Sequence, residues 1–182
     1  MNRRRWFVTA TVVALTLATQ ASLAQTSEQD LKSLAVLDIE LLDDQKNPLT
    51  QQAQEIRLRN AAVQLRDELA QRKLYRVVDT SPAKELLESL RSQHEFLYRC
   101  DECAEQVGRQ LGADLVMTPW VQKVSELILN FNVQILDVKA GKLVFTKSVD
   151  MRGNQDESWK RAVRFLVRDM AEKRALNPAY GQ

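Results

Sequence analysis

The sequence has little of the material from which most catalytic sites are built. Its single histidine, His94, excludes histidine-based acid–base catalysis anywhere else in the chain. Two cysteines among 182 residues exclude a disulfide-dense scaffold. The apolar run 6–17 is too short and too rich in threonine for a membrane span. No set of residues gives a catalytic mechanism, so the sequence argues against an enzyme.

The chain also lacks an excess of either charge once its amino-terminal segment is set aside. The whole chain has 26 Lys and Arg against 24 Asp and Glu. Three arginines and no acidic residue lie in the first 24 positions, which leaves 23 basic and 24 acidic residues in the other 158. The basic isoelectric point of the whole chain therefore gives no indication of a nucleic-acid partner, and none is expected.

Residues 1–24 have the pattern of a cleavable signal peptide. Basic residues precede the apolar run 6–17, and Ser22 and Ala24 place small residues at positions −3 and −1 of a cut between Ala24 and Gln25. No cysteine follows the apolar run, so no lipid anchor is expected. The paired arginines also resemble a twin-arginine signal, which leaves two export routes open, with the ordinary secretory route favoured. We predict a soluble periplasmic protein.

Residues 113–151 are predicted to form three consecutive antiparallel strands, around which the rest of the chain is organised. The middle strand alternates apolar with polar residues, namely Leu129, Asn130, Phe131, Asn132, Val133, Gln134 and Ile135. This period of two is typical of a strand with one buried and one solvent-facing side. Gly141 can adopt the positive φ that the following turn requires. Because Pro119 donates no ladder hydrogen bond, the first strand is predicted to lie at an edge or to carry a bulge.

The remaining elements are predicted from hydrophobic spacing and capping residues. The apolar run 32–41 predicts a strand central in the sheet, and residues 75–79 predict a short second strand. Apolar residues at helical spacing predict four helices, at about 51–73, 80–93, 102–111 and 156–175.

The predicted order of elements is β-α-β-α-α-β-β-β-α. It indicates an α+β fold, with a mixed five-stranded sheet and helices packed on it. We expect a single domain at 32–176, preceded by a flexible leader at 25–31 and followed by a loose tail at 177–182.

Cys100 and Cys103 form a Cys-x-x-Cys pair. In an exported protein, two cysteines so close in sequence favour a disulfide. A redox-active pair is the first alternative, but the acidic residues between the cysteines oppose formation of a thiolate. A metal pair that includes His94 is the second, although zinc would lack an obvious fourth ligand. We expect a structural disulfide, a surface histidine, and no metal or cofactor.

Two groups of polar residues are candidate binding surfaces. The first group lies where the last strand passes into the last helix, and the second lies on the polar side of the middle strand. They comprise Arg152, Asn154, Asp156 and Trp159, and Asn130 and Asn132. For the first group, capping by Asn154 or Asp156 and anchoring of the helix by Trp159 is the favoured interpretation. The second group is either a solvated row or a contact surface.

Several segments together resemble the exported bacterial proteins grouped as domains of unknown function 2380 and 3280. They are LAVLD at 34–38, CDEC at 100–103, LGADLV at 111–116, VQKVS at 121–125, DV at 137–138, GK at 141–142, RGN at 152–154 and DESW at 156–159. The layout is more distantly similar to the amino-terminal domain of TolB and to the periplasmic domains of curli-secretion and penicillin-binding-protein-activator lipoproteins. That second resemblance implies an assembly or interaction module.

The functional hypothesis at this point is a periplasmic binding or accessory module without catalysis of its own. Its expected partner is another periplasmic protein. Two alternatives remain open: a thiol–disulfide redox protein that uses Cys100 and Cys103, and a sensor of a small periplasmic ligand. The sequence does not predict an oligomeric state.

Overall fold

The computed structural model describes residues 31–182, apart from 44, 46 and 101. The predicted signal peptide, its cleavage site between Ala24 and Gln25, and all of the predicted leader except residue 31 lie outside the described residues. Within the described ranges, no helix combines the length and the apolar character that crossing a membrane requires.

The described part of the chain forms one mixed sheet. Its strands are β1 (Ser33–Val36), β2 (Glu40–Asp43), β3 (Arg76–Val78), β4 (Leu115–Lys123), β5 (Ile128–Asp137) and β6 (Lys142–Arg152). The order across the sheet is β3-β1-β4-β5-β6, and β2 pairs with β4 beyond the end of β1. Pairs among β1–β4 are parallel, whereas β4, β5 and β6 form an antiparallel meander. The predicted α+β class is confirmed, but the single strand predicted at 32–41 is two strands, so the sheet has six rather than five.

Helices cover both faces of the sheet unequally. They are α1 (Pro48–Gln71), α2 (Lys84–Gln93), α3 (Cys103–Leu111) and α4 (Asp156–Leu176). The long helices α1 and α4 pack on one face and bury the apolar side of the meander, including Phe131 and Val133. The short helices α2 and α3 pack on the other face, over Ala35, Val116 and Leu136. Among the described residues, helices therefore cover that second face only over the half that contains β1 and the start of β4.

Pro119 lies in β4, which is a central strand. The prediction of an edge strand is therefore wrong. The amide of Leu37 donates to the carbonyl of Met117 at 3.0 Å, so the backbone N–H and C=O groups of Met117 point towards the strand that contains β1. Pro119 shares that orientation because residues two apart on a strand point the same way. Its missing donor therefore faces residues 37–39, where the neighbouring strand is interrupted between β1 and β2.

The segment between α3 and β4 is joined to β1 by a reciprocal set of hydrogen bonds. The Asp114 carboxylate accepts from the backbone amide of Ser33 at 2.8 Å and from its hydroxyl at 2.6 Å. The Ser33 hydroxyl in turn accepts from the Asp114 amide at 2.8 Å. These bonds hold the pKa of Asp114 below its ordinary value. Gly112 ends α3 in the left-handed region, at φ 61°, which leads the chain directly into this junction.

The last residues, predicted to form a loose tail at 177–182, fold back against the domain. The side chain of Arg174 donates to the carbonyl of Tyr180 at 2.9 Å and to that of Gly181 at 3.2 Å. The Tyr75 hydroxyl also donates to the Gly181 carbonyl. The tail thus covers the end of the core beside Tyr75.

Candidate functional site

A buried lysine organises the end of the β4–β5 hairpin. Lys123 is 2% exposed, and its Nζ lies 2.9 Å from Asp43 Oδ2 and 2.6 Å from Glu126 Oε1. Glu126 Oε2 accepts from Asn154 Nδ2 at 2.8 Å, and Asn154 Oδ1 accepts from Trp159 Nε1 at 2.9 Å. We call these five residues the Lys123 network. It ties β2, the hairpin, and the start of α4 into one unit.

The network shifts the pKa values of its two most tightly paired members in opposite directions. The hydrogen bond from Lys123, followed by that from Asn154, lowers the pKa of Glu126. Burial by itself would lower the pKa of Lys123, but the hydrogen bonds to Glu126 and Asp43 raise it above the ordinary value. Both shifts favour the charged forms, so the ion pair is maintained at neutral pH.

The structure divides the first predicted binding surface. Trp159 is 2% exposed and Asn154 is 7% exposed, and both belong to the Lys123 network. Asp156 pairs with Arg57 of α1 at 2.7 Å, whereas Arg152 is exposed at the end of β6. The anchoring role predicted for Trp159 agrees with its burial against the sheet. The structure therefore buries two of the four residues of this predicted surface and leaves the other two exposed.

The predicted cap of α4 is wrong. Gln155 is the N-cap residue and makes no side-chain capping bond. Asn154 is occupied instead by Glu126 and Trp159. The Ser158 hydroxyl donates to the carbonyl of Arg152 at 2.9 Å, which fastens the first turn of the helix to the end of β6.

The uncovered half of the second sheet face is a mostly polar surface. In register, Trp120 pairs with Asn132 and Asn132 with Ser148, while Gln134 pairs with Thr146. We call this surface the open face. It comprises Trp120, Gln122, Ile128, Asn130, Asn132, Gln134, Thr146, Ser148, Asp150 and Arg152. These residues are half-buried or exposed. Asn130 and Asn132, the second predicted binding surface, lie in its middle row.

A stacked aromatic pair borders the open face. The rings of Tyr98 and Trp120 lie 4.3 Å apart at an interplanar angle of 9°. Tyr98 belongs to a 3₁₀ turn, Leu97–Arg99, whose carbonyl at Tyr98 accepts from Gln134 at 3.0 Å. The Glu40 carboxylate accepts from the amides of Leu97 and Tyr98 at 2.7 and 3.2 Å, and burial raises the pKa of this carboxyl. Glu40 therefore binds the backbone amides of the turn and Gln134 binds one of its carbonyls. These bonds hold Tyr98 against Trp120 without any partner present.

The two cysteines and the histidine lie together at the same turn. Cys100 follows the turn, Cys103 is the first residue of α3, and their Cα atoms are 5.4 Å apart, joined as a disulfide. His94 directly follows α2, and one of its ring nitrogens and the two sulfur atoms all lie within 4.8 Å of one another. Cys103 is fully buried, Cys100 is half-buried and His94 is exposed. The spacing in sequence suggested this set, and the fold brings it together.

Sequence reasoning missed Lys123 and the aromatic pair. Lys123 lies two residues after the buried Val121 and so points to the same, buried side of β4. This alternation was the signal in the sequence that could have predicted a buried lysine. Trp120 lies on the polar side of the same strand, opposite Asn132. Nothing local to the sequence places Tyr98 on Trp120, because the contact depends on how the turn after α2 returns to the sheet.

Residues 32–170 match the model of the family DUF3280, which is described as a protein of unknown function (DUF2380). Since the match takes in most of the chain, this protein belongs to that family, and the predicted resemblance is confirmed. No protein of curated function matches its sequence.

Several solved structures are similar in outline. The LpoB C-terminal domain from Salmonella enterica is 17% identical with a TM-score of 0.46, over 66% of this chain and 82% of that one. TolB from Acinetobacter baumannii is 10% identical with a TM-score of 0.48, over 81% of this chain and 29% of that one. The PelC dodecamer from Paraburkholderia phytofirmans is 13% identical with a TM-score of 0.42, over 83% and 89%. At this level of similarity they carry no inference about function.

Proposed function

We propose that this chain is an exported protein-interaction module that binds a protein partner through the open face, without catalysis of its own. The observation that carries the proposal is the uncovered half of the sheet, with the stacked Tyr98 and Trp120 at its border. An antiparallel sheet often leaves one face in water, so exposure alone is not sufficient. The composition and the preorganisation of this face provide the further support.

The open face shares two features with protein interaction surfaces, namely few charged residues and an aromatic pair at its border. Amide and hydroxyl side chains make up most of it, and Asp150 and Arg152 are its charged members. Protein interfaces are depleted in charged residues at their centre and enriched in aromatic residues, of which Trp and Tyr contribute most to affinity. Because Tyr98 and Trp120 are already stacked, binding would not have to order these two side chains, which lowers its entropic cost.

Export is the second part of the proposal. It rests on the sequence pattern of residues 1–24 and on the cysteine pair at disulfide distance, which is typical of an oxidising compartment. We expect osmotic shock to release the protein in the periplasmic fraction. Its intact mass should be that of a chain whose first residue is Gln25. A retained signal segment or a lipid adduct would contradict this.

Site-specific photocrosslinking in intact cells tests the binding surface. A photoreactive residue at Thr146, exposed on the open face, should give one discrete protein adduct. The matched control places the same residue at Gln52, exposed on α1 on the opposite side of the sheet, and should give none. Equal labelling from the two positions, or none from Thr146, would remove the support for the open face.

A further inference from the structure

We infer that His94, Cys100 and Cys103 form a binding site for a monovalent copper ion when the cysteine pair is reduced. The disulfide and the metal-bound form then use the same two sulfur atoms, so they exclude one another. The inference rests on the placement of three ligand atoms from three separate elements.

The geometry is close to what a metal site needs. One atom from each of the three residues lies within 4.8 Å of the other two. Sulfur and imidazole nitrogen bind a metal at about 2.0–2.3 Å, which puts neighbouring ligand atoms roughly 3.5–4 Å apart. The His94 side chain is exposed and can close the remaining distance by rotation. The two sulfurs separate once their bond is reduced. The backbone of the three elements can therefore stay in place.

The chemistry of the ligands selects the ion. Thiolates are soft ligands that suit copper(I) and zinc, and imidazole binds both metals as well. Structural zinc sites are almost always four-coordinate, whereas the cluster found among the described residues offers three ligands. Copper(I) has no need of a fourth ligand, so a three-ligand set suits it better.

Loading of the site is a redox step followed by an exchange of protons. A small dithiol gives two electrons and two protons to the disulfide and is itself oxidised to a disulfide, which leaves two thiols. Copper(I) then displaces those two protons and bonds to both sulfurs and to the neutral imidazole. The Leu97–Arg99 turn lies between His94 and Cys100, so copper would tether this turn at both ends.

Competition titration of the full exported chain tests the inference. The protein is reduced with a phosphine under anaerobic conditions, and copper(I) is then titrated in against a chromogenic copper(I) chelator. The reduced native protein should take one copper per chain, and the oxidised protein should take none. His94→Ala should weaken binding at least about tenfold. Even the loss of a residue that only hydrogen-bonds to a metal ligand typically weakens binding by about that factor, and His94 would be a ligand itself. Cys100→Ser should abolish it.

X-ray absorption at the copper edge of the native protein gives a result that does not depend on how a variant folds. Two sulfur neighbours and one nitrogen neighbour are expected. A site with sulfur ligands alone, or a His94→Ala protein that holds copper as tightly as the native one, would overturn the assignment. A reduced protein that fails to compete with the chelator would overturn the site altogether.

Discussion

The end of the β4–β5 hairpin has two sets of polar side chains on opposite faces of the same strands, and their surroundings differ. Lys123 points to the face covered by α1 and α4, where its ammonium is buried between Asp43 and Glu126. Its neighbour Gln122 points to the open face and is exposed. A one-residue step along β4 therefore passes from a side chain committed to the fold to one that is free to meet a partner.

The difference shows why polar character alone does not locate a binding surface. In the Lys123 network each polar group meets another, because a buried polar group without a partner is costly. On the open face, Asn132 donates to the carbonyl of Asn130 and Gln134 to that of Tyr98. Neither amide oxygen accepts a hydrogen bond from another described residue. Disruption of the first surface should change stability, and disruption of the second should change binding.

Truncation of Trp159 should have the largest effect on stability. Trp159→Ala removes a side chain that is 2% exposed in the main core, and truncations of this kind cost about 3–5 kcal/mol. Trp159→Phe is the matched control. It keeps a smaller aromatic ring in the core but leaves Asn154 Oδ1 without its donor, at a cost of about 1–3 kcal/mol. Urea unfolding, monitored by circular dichroism, measures the free energy of unfolding of both variants. A Trp159→Ala protein as stable as the native one would contradict the network.

Removal of the buried cation should be the next largest effect. Lys123→Met removes the counter-charge of Asp43, whose side chain is almost buried. Loss of one partner of a buried ion pair costs roughly 3 kcal/mol or more. Arg152→Met is the control, since Arg152 is exposed at the end of β6. It should change the free energy of unfolding by less than about 0.5 kcal/mol. Similar losses in the two variants would erase the contrast between the surfaces.

Loss of the disulfide should have a modest effect. The Cys100–Cys103 bond closes a very short loop, so the double Cys→Ser variant should lose only about 1 kcal/mol, near the low end of the usual range. Alkylation and mass spectrometry of protein from the periplasm should find no free thiol. Free thiols in the native protein would contradict the structural disulfide, and partner binding lost at unchanged stability would favour the redox alternative.

Acid should weaken the Lys123 network through Glu126. Its pKa is lowered in the folded state, so its contribution is present above the ordinary pKa of about 4.3 and is lost as pH falls through the folded value. Glu126→Gln should therefore be less stable than the native protein at pH 7, with a difference that shrinks towards pH 3. A difference that is constant with pH would show that the ion pair does not contribute. Because Glu126 is half-exposed, we expect a small effect.

Local sequence patterns predicted the meander well and the surroundings of β4 poorly. The alternation along β5 is a local property, so its buried and polar sides could be assigned from residues such as Phe131 and Asn132. The tolerance of Pro119 in a central strand depends on the break between β1 and β2, which is distant in sequence. Lys123 likewise finds Asp43 only after β2 pairs with β4. Contacts of that kind have no local signature.

The most direct test of the central claim combines a charged substitution on the open face with the crosslink at Thr146. Ser148→Arg adds a bulky charge to an exposed position opposite Asn132, and Gln52→Arg adds the same charge on α1. We predict that Ser148→Arg abolishes the Thr146 adduct in intact cells while its melting temperature stays that of the native protein, and that Gln52→Arg keeps the adduct. An adduct that persists undiminished in Ser148→Arg would contradict the assignment of the open face as the binding surface.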